Sequence, residues 1–96
     1  MIEEKKKVHF IEDLLGSKAR IKIIKLLAIK EELSISSIIS RTNLNHSNVI
    51  KHLNILKEFN LIQEKNFGRI RIFRYKIENI KARSLKKFIE IWEGIY

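Results

Sequence analysis

The chain has 96 residues, of which 45% are hydrophobic and 32% charged, and its formal net charge is +9 at pH 7. This length predicts one domain over residues 1–96, and the apolar fraction predicts a folded protein rather than a disordered one. The absence of cysteine excludes disulfides, thiolate-bound zinc and thiol catalysis. The start, MIEEKKK, lacks the apolar core of a signal peptide and no stretch reaches membrane-spanning length, so we expect a cytoplasmic protein.

The positive charge predicts an attraction for polyanions, for which DNA, RNA and anionic membrane surfaces are the candidates. Keeping an isoleucine-rich protein soluble is the alternative use of so many lysines and arginines. Composition does not choose between these uses. The distribution of the charge along the predicted elements has to decide.

Two helices are predicted at the start of the chain. Apolar residues recur at helical spacing over residues 2–15, and Gly16 ends this helix. Ser17 is then positioned to cap a second helix that extends to about residue 30. Lysines lie opposite its apolar positions, so we expect this helix to be a scaffold with one buried side.

A third and a fourth helix are predicted over residues 34–59. Ser34 and Asn45 are their N-caps, and Asn43 lies in the short turn between them, where asparagine tolerates a left-handed backbone. This is the spacing of a helix-turn-helix. One face of the fourth helix is apolar and the other is polar. The apolar positions are Val49, Leu53 and Leu56, and the polar positions include Ser47, Asn48, Lys51 and Asn54.

Beyond the fourth helix, the hydrophobic period changes from about 3.6 residues to about 2. This change predicts a β-hairpin over residues 62–77, with a turn that contains Gly68. Phe73, Tyr75 and Ile77 share one face, which we expect to pack on the helices. The basic residues expected at the hairpin tip are Lys65, Arg69 and Arg71.

Asn79 is the predicted cap of a terminal helix over residues 79–94, whose apolar face is too wide for one small core. We therefore expect the first and last helices to form the interface of a homodimer. The predicted interface residues are Ile11, Leu14, Leu85, Phe88, Ile89, Trp92 and Ile95.

Several short motifs, in this order, resemble the ArsR-type winged helix-turn-helix regulators. The segment GSKARIKIIKLL resembles the family's scaffold helix, VIKHL its VSxHL motif, and LKEFNLI its LxxxGLV motif. Gly68, Arg69 and Tyr75 fit the family's wing. The resemblance covers residues 15–77. It implies a mostly helical α+β fold with a three-helix core, a β-hairpin wing, and N- and C-terminal helices for dimerisation.

The resemblance also implies a sequence-specific transcription regulator, which we expect to be a nucleoid-associated repressor that binds double-stranded DNA as a homodimer. Base contacts are expected from Ser47, Asn48, Lys51 and Asn54. Contacts to the DNA backbone are expected from Ser36, Ser37, Arg41, Thr42 and His46. Minor-groove and phosphate contacts are expected from the wing residues Lys65, Arg69 and Arg71.

Metal-sensing members of the family often carry cysteines at the start of the third helix, or His and Asp pairs on the terminal helix. This chain has neither, so we expect no metal and no cofactor. His52 lies beside the buried stripe of the fourth helix and is predicted to be a packed histidine bonded to backbone. No catalytic acid, base or nucleophile motif is present, so no enzymatic activity is predicted.

Other functions stay open at this point. A winged-helix interaction module of transcription or replication machinery would present the same polar helix face to a protein. The charge alone suffices for a general nucleoid or RNA-binding protein, and the basic terminal helix suits a membrane surface. Charges on the wing also discourage aggregation at a sheet edge. Salt-dependent and sequence-dependent binding to duplex DNA would separate the first function from the others.

Overall fold

The computed structural model describes residues 10–95, so most of the predicted first helix lies outside the described residues. Three core helices are followed by a hairpin and a terminal helix, which confirms the predicted winged helix-turn-helix fold. The elements are α1 (Ile11–Leu15), α2 (Lys18–Lys30), β1 (Glu32–Ser34), α3 (Ile35–Thr42), α4 (His46–Glu58), β2 (Ile62–Phe67), β3 (Ile70–Tyr75) and α5 (Ile80–Glu93).

The predicted N-caps of α2 to α5 all accept hydrogen bonds from the backbone. Ser17 and Ser34 each accept through Oγ from the amide three residues later, at 3.2 Å. Asn45 and Asn79 accept through Oδ1 from amides in the first turns of their helices, at 2.9 and 2.8 Å. Because these bonds satisfy amides that have no partner within the helix, the four caps determine where the helices begin.

The core lies where α2, α3 and α4 meet the inner face of the sheet. Val49, Leu53 and Leu56 belong to it, which confirms the predicted buried stripe of α4. Burying a side chain of this size contributes about 1.5–3 kcal/mol. The stripe therefore anchors α4 to the rest of the domain. The other fully buried large side chains include Ile23, Ile24, Leu27, Ile38 and Phe73.

The sheet has three antiparallel strands in the order β1-β3-β2, one strand more than the sequence predicted. Phe67 pairs with Ile70, so only two residues form the turn of the hairpin, and the first of them, Gly68, has a φ of 62°. Phe73 and Tyr75 are buried as predicted. Ile77 follows the end of β3 and is exposed, so the prediction that it shares the buried face was wrong.

The turn between α3 and α4 depends on a left-handed residue. Asn43 has a φ of 63° and donates its backbone N–H to the Ile39 carbonyl at 2.9 Å. This closes the last turn of α3 and directs the chain into α4. Asn60, after α4, has a φ of 62°, so both asparagines adopt the predicted conformation.

Replacing Asn43 with alanine is expected to lower the free energy of unfolding by about 1 kcal/mol, because alanine disfavours a left-handed backbone. Asn43→Gly is the matched control, and its stability should stay within about 0.5 kcal/mol of wild type because glycine tolerates this φ. Urea unfolding followed by circular dichroism measures both variants. Equal losses in the two would show that the left-handed backbone is not what limits this position.

Candidate nucleic-acid interface

The outward face of α4 consists of exposed polar side chains. Ser47, Asn48, Lys51 and Asn54 recur at helical spacing opposite the buried stripe. Within residues 10–95, none of these four side chains makes a hydrogen bond or an ion pair with another residue. Serine and asparagine can donate and accept, and lysine donates, so the face matches the donors and acceptors of base edges in the major groove. The four predicted base-contact residues therefore share one surface.

Four of the five predicted backbone-contact residues lie near this face, on α3 and at the start of α4. Ser36 and Arg41 are exposed, and Ser37 is half-buried and accepts a hydrogen bond from Arg41 Nε at 3.0 Å. His46, the first residue of α4, is exposed. These groups can donate to phosphate oxygens.

Thr42 does not belong to the surface, which corrects its predicted contact with the DNA backbone. It is only 1% exposed. Its hydroxyl donates to the Ile38 carbonyl at 2.7 Å and accepts from the Leu44 amide at 3.4 Å. Thr42 lies one helical turn after the buried Ile38, and that spacing directs its side chain inward. Its role is to stabilise the end of α3 and the turn that follows.

The three basic residues assigned to the hairpin tip do not form one cluster. Alternation along the strands places Arg71 on the inner face and Lys65 on the outer face. Arg71 Nε donates to Glu64 Oε2 at 2.6 Å, and Lys65 Nζ lies 3.4 Å from Glu32 Oε1. Arg69, in the turn, is exposed and has no ion pair within the described part of the chain. Arg71, paired with Asn66, lies next to the turn as predicted, but its guanidinium is bound to Glu64. Among the described residues, Arg69 is therefore the cation of the tip that has no ion pair.

Glu64 connects the wing to the end of α4. Besides the Arg71 guanidinium, its carboxylate accepts from Lys57 Nζ at 2.7 Å, and its side chain is only 12% exposed. The hydrogen bond from Arg71, followed by those from Lys57, lowers the pKa of Glu64 to about 2 although burial opposes the shift. The arginine also lies over the Phe73 ring, 5.6 Å from its centroid. These contacts hold the hairpin against the end of α4.

Two large apolar side chains at the wing tip were missed by the sequence analysis. Phe67 and Ile70 are 58% and 55% exposed and lie opposite each other just before and after the turn. The signal was present in the sequence, because apolar residues on both sides of a Gly-Arg turn must lie at the end of the hairpin. There they have no core to enter.

His52, on α4, is buried as predicted, but its partner is not backbone. Its Nδ1 accepts from Arg20 Nε on α2 at 3.3 Å. The same guanidinium donates to the Asp13 carbonyl of α1. Burial lowers the pKa of His52 below its ordinary value, and the positive charges of Arg20 and Lys51 add to the shift. His52 is therefore a neutral acceptor inside the fold.

The predicted interface residues of the terminal helices divide into two groups. Leu14 and Ile89 are buried within one chain, so assigning these two to an interface was wrong. Leu85 is half-buried against the same core and also lines a groove beside α1, so its place in an interface stays a prediction. The others are exposed, and Trp92 is 75% exposed. With residues that the sequence analysis missed, they form an apolar band. We define this apolar band as Phe10, Ile11, Leu15, Ile80, Phe88, Ile91, Trp92 and Ile95.

No group of three or more His, Cys, Asp or Glu side chains in residues 10–95 is placed to hold a metal ion. Over the same residues, every helix is too short or too polar to cross a membrane.

The fold and the free polar face of α4 are those of a winged helix-turn-helix transcription regulator. The sequence profile of the bacterial regulatory protein arsR family matches residues 17–64, which are 48 of the 96 residues and so half of the chain. The chain belongs to the arsR family, a family of DNA-binding transcription regulators, and the resemblance of its motifs is confirmed. A search among curated protein sequences finds no significant match.

Solved structures with the same fold include HlyU from Vibrio cholerae N16961, with a TM-score of 0.74 and 17% identity over 85% of this chain and 86% of that chain. The transcriptional repressor PagR of Bacillus anthracis has a TM-score of 0.67 and 21% identity, covering 80% of this chain and 85% of that chain. The homodimeric winged helix-turn-helix DNA-binding domain Mb0332 from Mycobacterium bovis has a TM-score of 0.69 and 20% identity, and the match covers 88% of this chain and 75% of that chain. At these identities the likeness concerns the fold.

The lowered pKa of His52 predicts a loss of stability in mild acid. Below the ordinary histidine pKa of about 6.5, the unfolded chain takes up a proton at this residue while the folded protein does not. The free energy of unfolding should therefore fall as the pH drops from about 7.5 to about 5. Glu64 does not contribute in this window, because its stabilisation is lost only below the ordinary carboxyl pKa of about 4.3.

Urea unfolding at the two pH values measures this loss, and His52→Asn is the matched variant. Asparagine keeps an acceptor for Arg20 and removes the titration, so its stability should depend less on pH than that of wild type. The same pH dependence in both proteins would contradict the role of His52.

Proposed function

We propose that this protein is a sequence-specific transcription repressor that binds double-stranded DNA as a homodimer. The observation that carries the proposal is the polar face of α4, which has no side-chain partner within residues 10–95 and is presented by a helix whose opposite side is fixed in the core. Membership of the arsR family supports the same function, and so does the fold shared with the repressor PagR.

Charge supports DNA as the partner of this face. The chain carries a net +9, Lys51 lies within the polar face, and Arg41 and Arg69 are exposed on α3 and the wing. Neutralising phosphates supplies affinity without sequence preference. Base contacts add discrimination of about 1–3 kcal/mol for each well-placed pair. The face carries asparagines and no arginine, which favours adenine over guanine.

The apolar band supports a second copy as the other partner. Four of its residues, Ile11, Leu15, Ile80 and Phe88, line a groove of about 550 Å³ beside α1 and α5. Phe88 and Trp92 lie side by side in the band, with ring centroids 5.8 Å apart. An exposed apolar surface of this kind is typical of a protein–protein interface. A two-fold dimer would place two copies of α4 about 34 Å apart, one turn of DNA, on a pseudo-palindromic site.

Selection of bound sites from random duplex DNA, followed by a salt titration, tests the proposed function. We expect a pseudo-palindromic site, with an affinity that falls linearly on a double-logarithmic plot against salt. Absence of any salt-dependent binding to duplex would favour a protein-interaction module. Indifference to competitor sequence would favour a general nucleoid or RNA-binding protein.

Lys51→Ala should weaken binding to the selected site by roughly tenfold and binding to random duplex much less, because base contacts carry the sequence preference. Arg69→Ala should weaken both alike and lower the salt slope by about one, because a phosphate or groove contact is lost. Fluorescence anisotropy measures both, and Lys87→Ala, an exposed lysine on α5, is the matched control. Equal effects of Lys51→Ala and Arg69→Ala on the two kinds of duplex would contradict these roles.

Trp92→Glu should convert the dimer to monomer at micromolar concentration, because a carboxylate would be buried in the apolar interface. Its fold should survive, since the side chain is 75% exposed within one chain. Sedimentation velocity measures the change. Ile77→Glu, which places the same charge on an exposed apolar position outside the band, should remain dimeric. A dimeric Trp92→Glu protein would place the interface elsewhere.

A further inference from the structure

Packing within the chain does not account for the two apolar side chains at the wing tip. Phe67 and Ile70 form the last cross-strand pair before the turn, and both lie on the outer face of the sheet. A β-carbon added at Gly68 would meet no atom within 4 Å, so open space surrounds the turn. Each side chain is more than half exposed. The hairpin therefore ends in two exposed apolar side chains that project from the domain.

A free positive charge lies between these side chains. Arg69 follows Gly68 in the turn, and it is the one lysine or arginine of residues 62–75 that forms no ion pair with the described part of the chain. The other three cations of the two strands each contact a carboxylate: Lys65 to Glu32, Arg71 to Glu64 and Arg74 to Glu78. Among the described residues, the wing cation without a carboxylate partner is thus the one at the tip, next to the two apolar side chains.

This combination matches the minor groove of duplex DNA. The negative potential of a narrow minor groove attracts arginine, and apolar side chains inserted between base steps unstack them and bend the duplex. A protein partner fits less well, because two apolar residues beside a charge offer far less than the roughly 800 Å² per partner of a stable interface. For self-association, the apolar band on α1 and α5 is the surface already proposed.

The position of the tip is fixed relative to the helix that carries the base-contact face. Glu64, in β2, bonds Lys57 of α4 at 2.7 Å and Arg71 of β3 at 2.6 Å, which joins both wing strands to the end of that helix. These ion pairs hold both wing strands against the C-terminal end of α4. A duplex that accepts α4 in its major groove would meet the tip at an adjacent minor groove.

We propose that the side chains of Phe67 and Ile70 form a wedge that enters the minor groove and bends the DNA. Arg69 binds in the negatively charged groove beside this wedge. The inference rests on the DNA binding proposed above and adds to it a source of specificity. Pyrimidine–purine steps such as TA and CA unstack most easily. The bound sites should therefore carry such a step where the wing lies, outside the bases that α4 contacts.

The experiment uses the duplex recovered by selection, labelled at its ends for energy transfer and carrying 2-aminopurine at the flanking step. Wild type should bend this duplex by about 20–90° and raise the 2-aminopurine fluorescence. Phe67→Ala should lose most of the bend and bind roughly tenfold more weakly. It should keep the wild-type salt slope, because no charge is removed. Phe67→Leu keeps an apolar wedge and should retain most of the bend.

Ile77→Ala is the control for removing an exposed apolar side chain elsewhere, and it should bend and bind as wild type does. Circular dichroism verifies that each variant is folded. Unbent DNA in the wild-type complex would overturn the wedge, and so would a bend in the Phe67→Ala complex equal to that in the wild-type complex. Either result would leave the proposed DNA binding intact. Loss of self-association in Phe67→Ala would also overturn it, by placing the tip in a protein interface. Failure of wild type to bind any duplex would overturn the proposed function itself.

Discussion

Burial of Val49, Leu53 and Leu56 fixes the rotation of α4 about its own axis, and that rotation determines which side chains the helix presents to solvent. Successive residues of a helix are separated by about 100°, so a shift of the buried stripe by one residue would replace the whole polar face. The face needs no further interaction to orient it. Its side chains can remain unpartnered because the opposite side of the helix supplies the stability.

In the sheet, side chains alternate between the two faces with a period of two residues, and this alternation also determines which side chains share a face. Alternation places Glu64 and Arg71 on the inner face, where they form an ion pair that Lys57 shares, and Lys65 on the outer face. The ion pairs leave the wing with less free charge than its composition indicates. The number of basic residues in a hairpin therefore overestimates the positive charge that is available to a polyanion. Assigning each residue to a face of the sheet, together with its ion pair, identifies Arg69 as the free arginine.

Features that depend on local interactions could be predicted from the sequence. The four N-caps and the left-handed asparagines follow from contacts within a few residues, and the buried stripe of α4 follows from its helical spacing. The polar face of α4 was identified for the same reason. Thr42 is an error of local spacing, since it lies one helical turn after Ile38, but most of the other errors concern long-range packing. The partner of His52 comes from another helix, and only the assembled core reveals that Leu14 and Ile89 point inward while Trp92 points outward.

Strand β1 was missed because three residues carry too little periodicity, and its partner is far away in the sequence. Yet Leu33, just before α3, pairs with Phe73 in the middle of the wing. This ladder closes the chain into a loop that encloses the entire helix-turn-helix. The wing is consequently attached at both of its strands and cannot pivot on the α4–β2 connection alone. Because the loop that this ladder closes is long, we expect the closure to complete after the local helices have formed, which would make the wing and α4 one cooperative unit.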